Sequence, residues 1–150
     1  MEVPPSSHNT LSDDERIDAF VHSPSWGSCR YVVDRFLYTL SWLSGQHRDK
    51  FDIIETIHGT DRLYFSKSAE RLTHSGRSVD PRKIPTTTYW VITNTSTKRK
   101  IRIIERVMGS LGYRRHNTQK VIAKLAAEDR PQGQQLKLTG LEQAESDDRI

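Results

Sequence analysis

The chain has 150 residues, a formal net charge of +4 and a mean hydropathy of −0.71, with 34% hydrophobic and 28% charged residues. That length suits one domain, the usual prior being about 100 to 200 residues per domain, and excludes two large ones. No run approaches the roughly 20 apolar residues that span a bilayer, and the start of the chain lacks the basic, apolar and small-residue succession of a secretion signal, so a cytoplasmic protein is expected. The single cysteine, Cys29, excludes an internal disulfide and a cysteine-rich zinc site.

The charge is unevenly placed. Residues 1–59 carry 5 Lys and Arg against 9 Asp and Glu, residues 60–124 carry 15 against 4, and residues 125–150 carry 3 against 6. The central block therefore has a net charge of +11 between acidic flanks. Such a block is the electrostatic footprint of a surface that binds a polyanion, because Lys and Arg contacts to phosphate supply most non-specific nucleic-acid affinity. The plainer alternative is a solvated basic surface.

Residues 1–12, rich in Pro and Ser, read as a disordered arm. Ser12 followed by Glu15 forms a capping-box pattern with Asp13 and Asp14 in the first turn, which predicts a short helix over 13–22 with Ile17, Phe20 and Val21 on its inner side. Residues 24–28 break it. Val33, Phe36, Leu37, Leu40 and Leu43 recur at helical spacing and predict a helix over 29–44 ending at Gly45. Phe51, Ile54 and Ile57 predict a third over 47–57, closed by His58-Gly59.

After Gly59 the period changes. Leu63, Tyr64 and Phe65 predict a strand over 62–66, with a short helix over 68–75 and a loop or edge hairpin over 76–85, where two prolines interrupt the chain. Tyr89-Trp90-Val91-Ile92-Thr93 is the clearest strand. Residues 94–97 turn, and Ile101, Ile104, Met108 and Leu111 predict an amphipathic helix over 98–111 ending at Gly112. Val121, Ile122 and Leu125 point to a last helix, and residues 128–150 read as a polar, flexible tail. The expected fold is α+β: one mostly helical domain over 13–127 with a small antiparallel sheet.

The segment from Thr93 to Lys100 sets four small polar side chains (Asn94, Thr95, Ser96, Thr97) before three cations, Lys98, Arg99 and Lys100, with Arg102 one turn on. Cations at a helix N-terminus oppose its dipole by about 0.3–1 kcal/mol each at low salt. A phosphate there reverses the sign, because free N–H groups, hydroxyls and cations all converge on it. Asn94 presents a donor and an acceptor together, as adenine N6 and N7 require, although a turn or cap role is the commoner use of an asparagine. In His58-Gly59-Thr60-Asp61-Arg62, Arg62 is a reader of guanine or phosphate, or else a surface partner of Asp61 or Glu55. His58 fits a helix-end residue better than a catalyst. The six histidines lack metal-ligand spacing, there is no phosphate-loop or His-Glu-x-x-His motif, and no catalytic residue, metal or cofactor is expected. Trp42 and Trp90 fall in apolar stripes and read as core, while Trp26 is ambiguous.

Arg35-Phe36-Leu37, His58-Gly59, Arg62-Leu63-Tyr64-Phe65 and Tyr89-Trp90-Val91-Ile92-Thr93-Asn94-Thr95, followed by Thr97, Arg99-Lys100 and Ile104-Glu105, resemble in order the C-terminal DNA-binding domain of the SeqA family. The resemblance covers residues 14–125. It implies helices with a small antiparallel sheet and two loops entering the major groove of hemimethylated GATC duplexes, in negative control of replication initiation. Its two base-reading loops correspond here to Asn94, Thr95, Ser96 and Thr97 and to Thr60, Asp61 and Arg62; Asn94 and Arg62 carry over from the family, whereas Thr60, Asp61 and Ser96 do not match it, and phosphate contacts are expected from Lys98, Arg99, Lys100 and Arg102. Two departures stand out. The family loop reads His-Gly-Arg-Thr-Arg where this chain has Thr60 and Asp61 before Arg62, and a second Asn where it has Ser96.

The family places an oligomerisation domain and a linker before this one, and about a dozen residues precede the similar region here. A chain lacking that unit is therefore expected, acting singly, in another dimer or with a partner protein. Two rival functions stay open: a non-specific architectural DNA-binding protein without methyl discrimination, and a protein-interaction module acting on a replication factor.

Overall fold

In the computed structural model, residues 11–75 and 79–127 are described; the expected arm, except for its last two residues, and the expected tail lie outside them. Five helices and three short strands follow in the order α1 (Asp13–Val21), α2 (Val32–Gln46), β1 (Phe65–Ser66), α3 (Ala69–Ser75), β2 (Arg82–Lys83), β3 (Trp90–Val91), α4 (Thr97–Ser110) and α5 (Arg115–Leu125). Two 3-10 segments, Pro24–Ser28 and Phe51–Thr56, complete the elements among the described residues. Among these residues no helix is long and apolar enough to cross a membrane.

Helix α1 starts as its sequence dictates: Ser12 Oγ accepts from Glu15 N at 3.2 Å and Glu15 Oε1 accepts from Ser12 N at 2.9 Å, the reciprocal capping box. Helix α2 buries Phe36, Leu40 and Leu43 and begins where Asp34 accepts from the Tyr31 N–H. The third predicted helix is instead a single 3-10 stretch, since Phe51 and Ile54 are spaced for burial but Ile57 is already extended. The sheet is antiparallel in the order β1-β3-β2, with Phe65 and Arg82 both opposite Val91, and Ser66 and Lys83 both opposite Trp90. Its third strand comes from the interrupted 76–85 segment. Both predicted strands shrink to two residues, because the flanking residues bend away to serve the loops.

Helices α1, α2, α4 and α5 pack together, while the sheet and α3 close the other side. Ile17, Phe36, Leu40, Leu43, Ile54, Leu72, Ile84, Ile92, Ile103, Ile104, Met108 and Leu125 are fully enclosed, each burial being worth about 1.5–3 kcal/mol for a side chain of that size. Trp26 belongs to this interior, its indole N–H donating to Phe20 O at 2.7 Å. Trp42 stacks on Phe20 with centroids 4.2 Å apart, and Trp90 is half-buried at the core's edge. The inner stripe of α4 is Lys100, Ile103, Ile104, Val107 and Met108, so Ile101 is moved to its margin.

Candidate nucleic-acid interface

The first loop is a hairpin. His58 and Leu63 pair across it and Gly59 N donates to Arg62 O at 2.9 Å, which leaves Thr60 and Asp61 as a two-residue tip. Gly59 is required by a close approach: a Cβ there would lie 2.9 Å from the Tyr64 hydroxyl and 3.2 Å from its Cζ. The hairpin is fastened to α4, whose Arg106 donates from Nη1 to His58 O at 2.9 Å. His58 donates from Nδ1 to Gly59 O and is exposed; it stands in the hairpin, beyond the 3-10 segment that ends at Thr56, and not at the helix end read from sequence. Thr60 and Asp61 are exposed, and the Asp61 carboxylate makes no hydrogen bond or ion pair among the described residues. Arg62 does not form the alternative surface pair with Asp61 or Glu55. Its Nε and Nη2 are enclosed and have no hydrogen-bond partner, while Glu55 takes the hydroxyl of Tyr89.

The second loop follows β3. Thr93 N and Asn94 N both donate to Val79 O, at 3.0 and 3.1 Å, and the Thr93 hydroxyl donates to Asp80 O at 2.6 Å. Asp80 accepts this geometry with a left-handed φ of 46°, a conformation in which Asp is one of the tolerated non-glycine residues. Asn94 then emerges exposed. The cap of α4 is Ser96, not Asn94: Ser96 Oγ accepts from Arg99 N at 3.0 Å. The cap role that competed for Asn94 is thus taken by its neighbour two residues on.

Lys100 departs from its expected phosphate role. It is 4% exposed, lies over the Phe36 ring at 6.0 Å and donates from Nζ to Thr95 O at 2.6 Å. The physical reason is helical phase: Lys100 lies on the stripe that holds Ile103, Ile104 and Val107, so its stem runs through the core and its head returns to the loop. It ties the loop to its own helix.

Lys98, Arg99, Arg102 and Arg106 remain exposed on α4. Arg99, Arg102 and Arg106 are spaced three and four apart and share one side of the helix. Arg99 lies over the Tyr64 ring at 5.9 Å, which brings the start of α4 against the hairpin. Between them is an open cleft of about 560 Å³ lined by His58, Gly59, Thr60, Asp61, Arg62, Tyr64, Arg99 and Arg106. Three guanidiniums against one carboxylate make it cationic. The structure thus brings Thr60, Asp61, Arg62 and Arg99 to one site and sets the Asn94–Thr97 loop at the head of the same helix. Arg106 was missed by the sequence reading, although its place seven residues after Arg99 was a signal in the helical period; Gly59 and Tyr64 were read there without a site role. Among the described residues no group of His, Cys, Asp or Glu is placed to hold a metal.

Residues 15–124 match the family described as the SeqA protein C-terminal domain. The chain belongs to that family. Among SeqA-family relatives it is 43% identical over 90 residues to the "Negative modulator of initiation of replication" of Idiomarina loihiensis, covering 60% of this chain and 56% of that protein. It is 37% identical over 97 residues to the protein of the same name from Pseudoalteromonas atlantica, covering 65% and 56%. The chain therefore spans about half the length of these relatives. The crystal structure of V. cholerae SeqA superposes with a TM-score of 0.68 at 28% identity, over 75% of this chain and 96% of that one. The α+β architecture with a three-stranded antiparallel sheet is thus the SeqA C-terminal fold.

Proposed function

We propose that the chain is a non-enzymatic reader of duplex DNA that acts in negative control of replication initiation, in contact with the nucleoid. The hairpin tip (Thr60, Asp61, Arg62) and the Asn94–Thr97 loop enter the major groove, and Lys98, Arg99, Arg102 and Arg106 hold phosphates. The observation that carries this reading is the approach of Arg99 to the Tyr64 ring, which brings the start of α4, directly after the Asn94–Thr97 loop, against the hairpin and its cationic cleft. Family membership and the name borne by the relatives support it.

Asn94 is the principal base reader, its amide matching adenine N6 and N7. An N6-methyl group leaves one hydrogen to be accepted and adds a small apolar group, which the methyls of Thr95 and Thr97 are suited to meet. Hemimethylated GATC is the first target to test. Anisotropy on unmethylated, hemimethylated and fully methylated duplexes, with random duplex as competitor, is expected to give a hemimethyl preference that Asn94→Ala reduces by roughly 5- to 150-fold, the range of one bidentate contact. Equal binding of all three and of random duplex indicates an architectural protein. Absence of duplex binding, with capture of a replication factor, indicates a protein-interaction module.

A further inference from the structure

The cationic cleft contains one group whose charge is wrong for phosphate, the Asp61 carboxylate. It sits at the tip of the hairpin, exposed, with three guanidiniums lining the same cleft and no ion pair or hydrogen bond to any of them among the described residues. An ionised carboxylate only accepts hydrogen bonds. Against a duplex it is repelled by phosphate and by the O6 and N7 of guanine, and it is matched in the major groove only by an amino group, cytosine N4 or adenine N6. The next residue, Arg62, lines the same cleft as a cation; its Nε and Nη2 are enclosed, so the donor it offers a base is the remaining Nη1. A guanine–cytosine pair offers both halves at adjacent edge positions: two acceptors on guanine and one amino donor on cytosine. The backbone that carries Asp61 is held in place: the hairpin is closed by the Gly59–Arg62 bond, pinned by Arg106 on His58 O and seated on Tyr64.

We infer that Asp61 is a specificity-determining residue that accepts a hydrogen bond from cytosine N4, so that the hairpin selects a guanine–cytosine pair at one fixed position beside the Asn94 contact. The inference rests on the DNA-binding reading above. It explains how a carboxylate is tolerated on a phosphate-facing surface: the group confers selectivity and reduces binding wherever no amino group meets it.

The test is a selection from randomised duplex with wild type, Asp61→Ala and Asp61→Asn, followed by anisotropy on the selected site. Asp61 is exposed at a turn, so all three proteins are expected to fold alike, checked by their melting temperatures. Wild type is expected to select a guanine–cytosine pair at one position and to lose roughly 5- to 150-fold when that cytosine is replaced by 2-pyrimidinone, which lacks the amino group. Asp61→Ala is expected to lose nothing from the same replacement and to bind random duplex more tightly than wild type. Asp61→Asn, with a donor and an acceptor, is expected to shift the selected base towards adenine. Selection of an adenine–thymine pair by wild type at that position, or an equal loss on 2-pyrimidinone with and without Asp61, overturns the inference and leaves DNA binding intact. Failure of wild type to bind any duplex removes both.

Discussion

Lys98 and Lys100 are two residues apart, both cationic, and divided by helical phase into different tasks. Lys98 is exposed at the head of α4, whereas the ammonium of Lys100 is enclosed and donates to Thr95 O. Lys98→Ala is expected to leave the melting temperature unchanged, weaken binding to all duplexes alike and reduce the salt slope by about 1. Lys100→Ala is expected to lower the melting temperature and weaken binding with little change of slope, since it loosens the loop without removing a phosphate contact. Denaturation curves and salt titrations of the two variants separate these outcomes. His47 offers a test of the fold by pH. Its Nε2 lies 2.7 Å from the Tyr113 hydroxyl, and burial holds its pKa below the ordinary 6.5 while pushing that of Tyr113 up to about 12. The unfolded chain therefore binds the His47 proton more readily. This contribution to stability is present above pH 6.5 and is lost as pH falls through the lowered folded value. Urea midpoints from pH 7.5 to 5 are expected to fall in wild type and to fall less in His47→Gln.

At the scale of the element, the end of α5 is held by a residue ninety positions away. Arg35, enclosed on α2, donates from Nε to Leu125 O at 3.0 Å and from Nη1 to Arg30 O at 3.2 Å, and its Nη2 reaches Ala127 O. These carbonyls include orphans of the last helical turn, which ordinarily need a glycine cap or water. Arg35→Met retains the stem and leaves them unpaired. A loss of more than about 2 kcal/mol in denaturant is expected, because each buried unsatisfied polar group costs about 1–3 kcal/mol. A loss below 1 kcal/mol would mean that water replaces the guanidinium. Helix α1 shows the opposite economy, its cap being local and therefore readable in the order Ser12, Asp13, Asp14, Glu15. The start of α5 at Arg115 has no such side-chain cap, so nothing in the sequence marked where the last helix begins.

For the whole molecule, the acidic N-terminal segment and the cations of α4 are put to different uses. On α1, Asp14 accepts from His116 and Asn117, and Asp18 accepts from Lys120, so part of the acidic N-terminal segment is paired with α5. On α4, Arg99 and Arg106 are left to the cleft, with Lys98 and Arg102 exposed on the same helix. If Lys98, Arg99, Arg102 and Arg106 each neutralise one phosphate, log Kobs against log salt has a slope of about −3.6, a loss on the order of 100-fold between 50 and 200 mM. A slope near zero in a salt titration would mean that this face does not meet DNA through phosphate.

The sequence by itself determined what depends on neighbours in the chain. It carried the capping box of α1, the stripe of α2, the strand before Asn94 and the +11 charge of the central block, together with enough of a pattern to resemble its family. The tertiary structure decided which polar groups are used up and which stay available. It turned Lys100 inward and gave the cap of α4 to Ser96; it also set Arg106 against the hairpin and left Asp61 and the Arg62 guanidinium without partners. The reason is that a hydrogen bond across 48 positions, such as Arg106 to His58, is fixed by how helix and hairpin pack, and no local period encodes that distance.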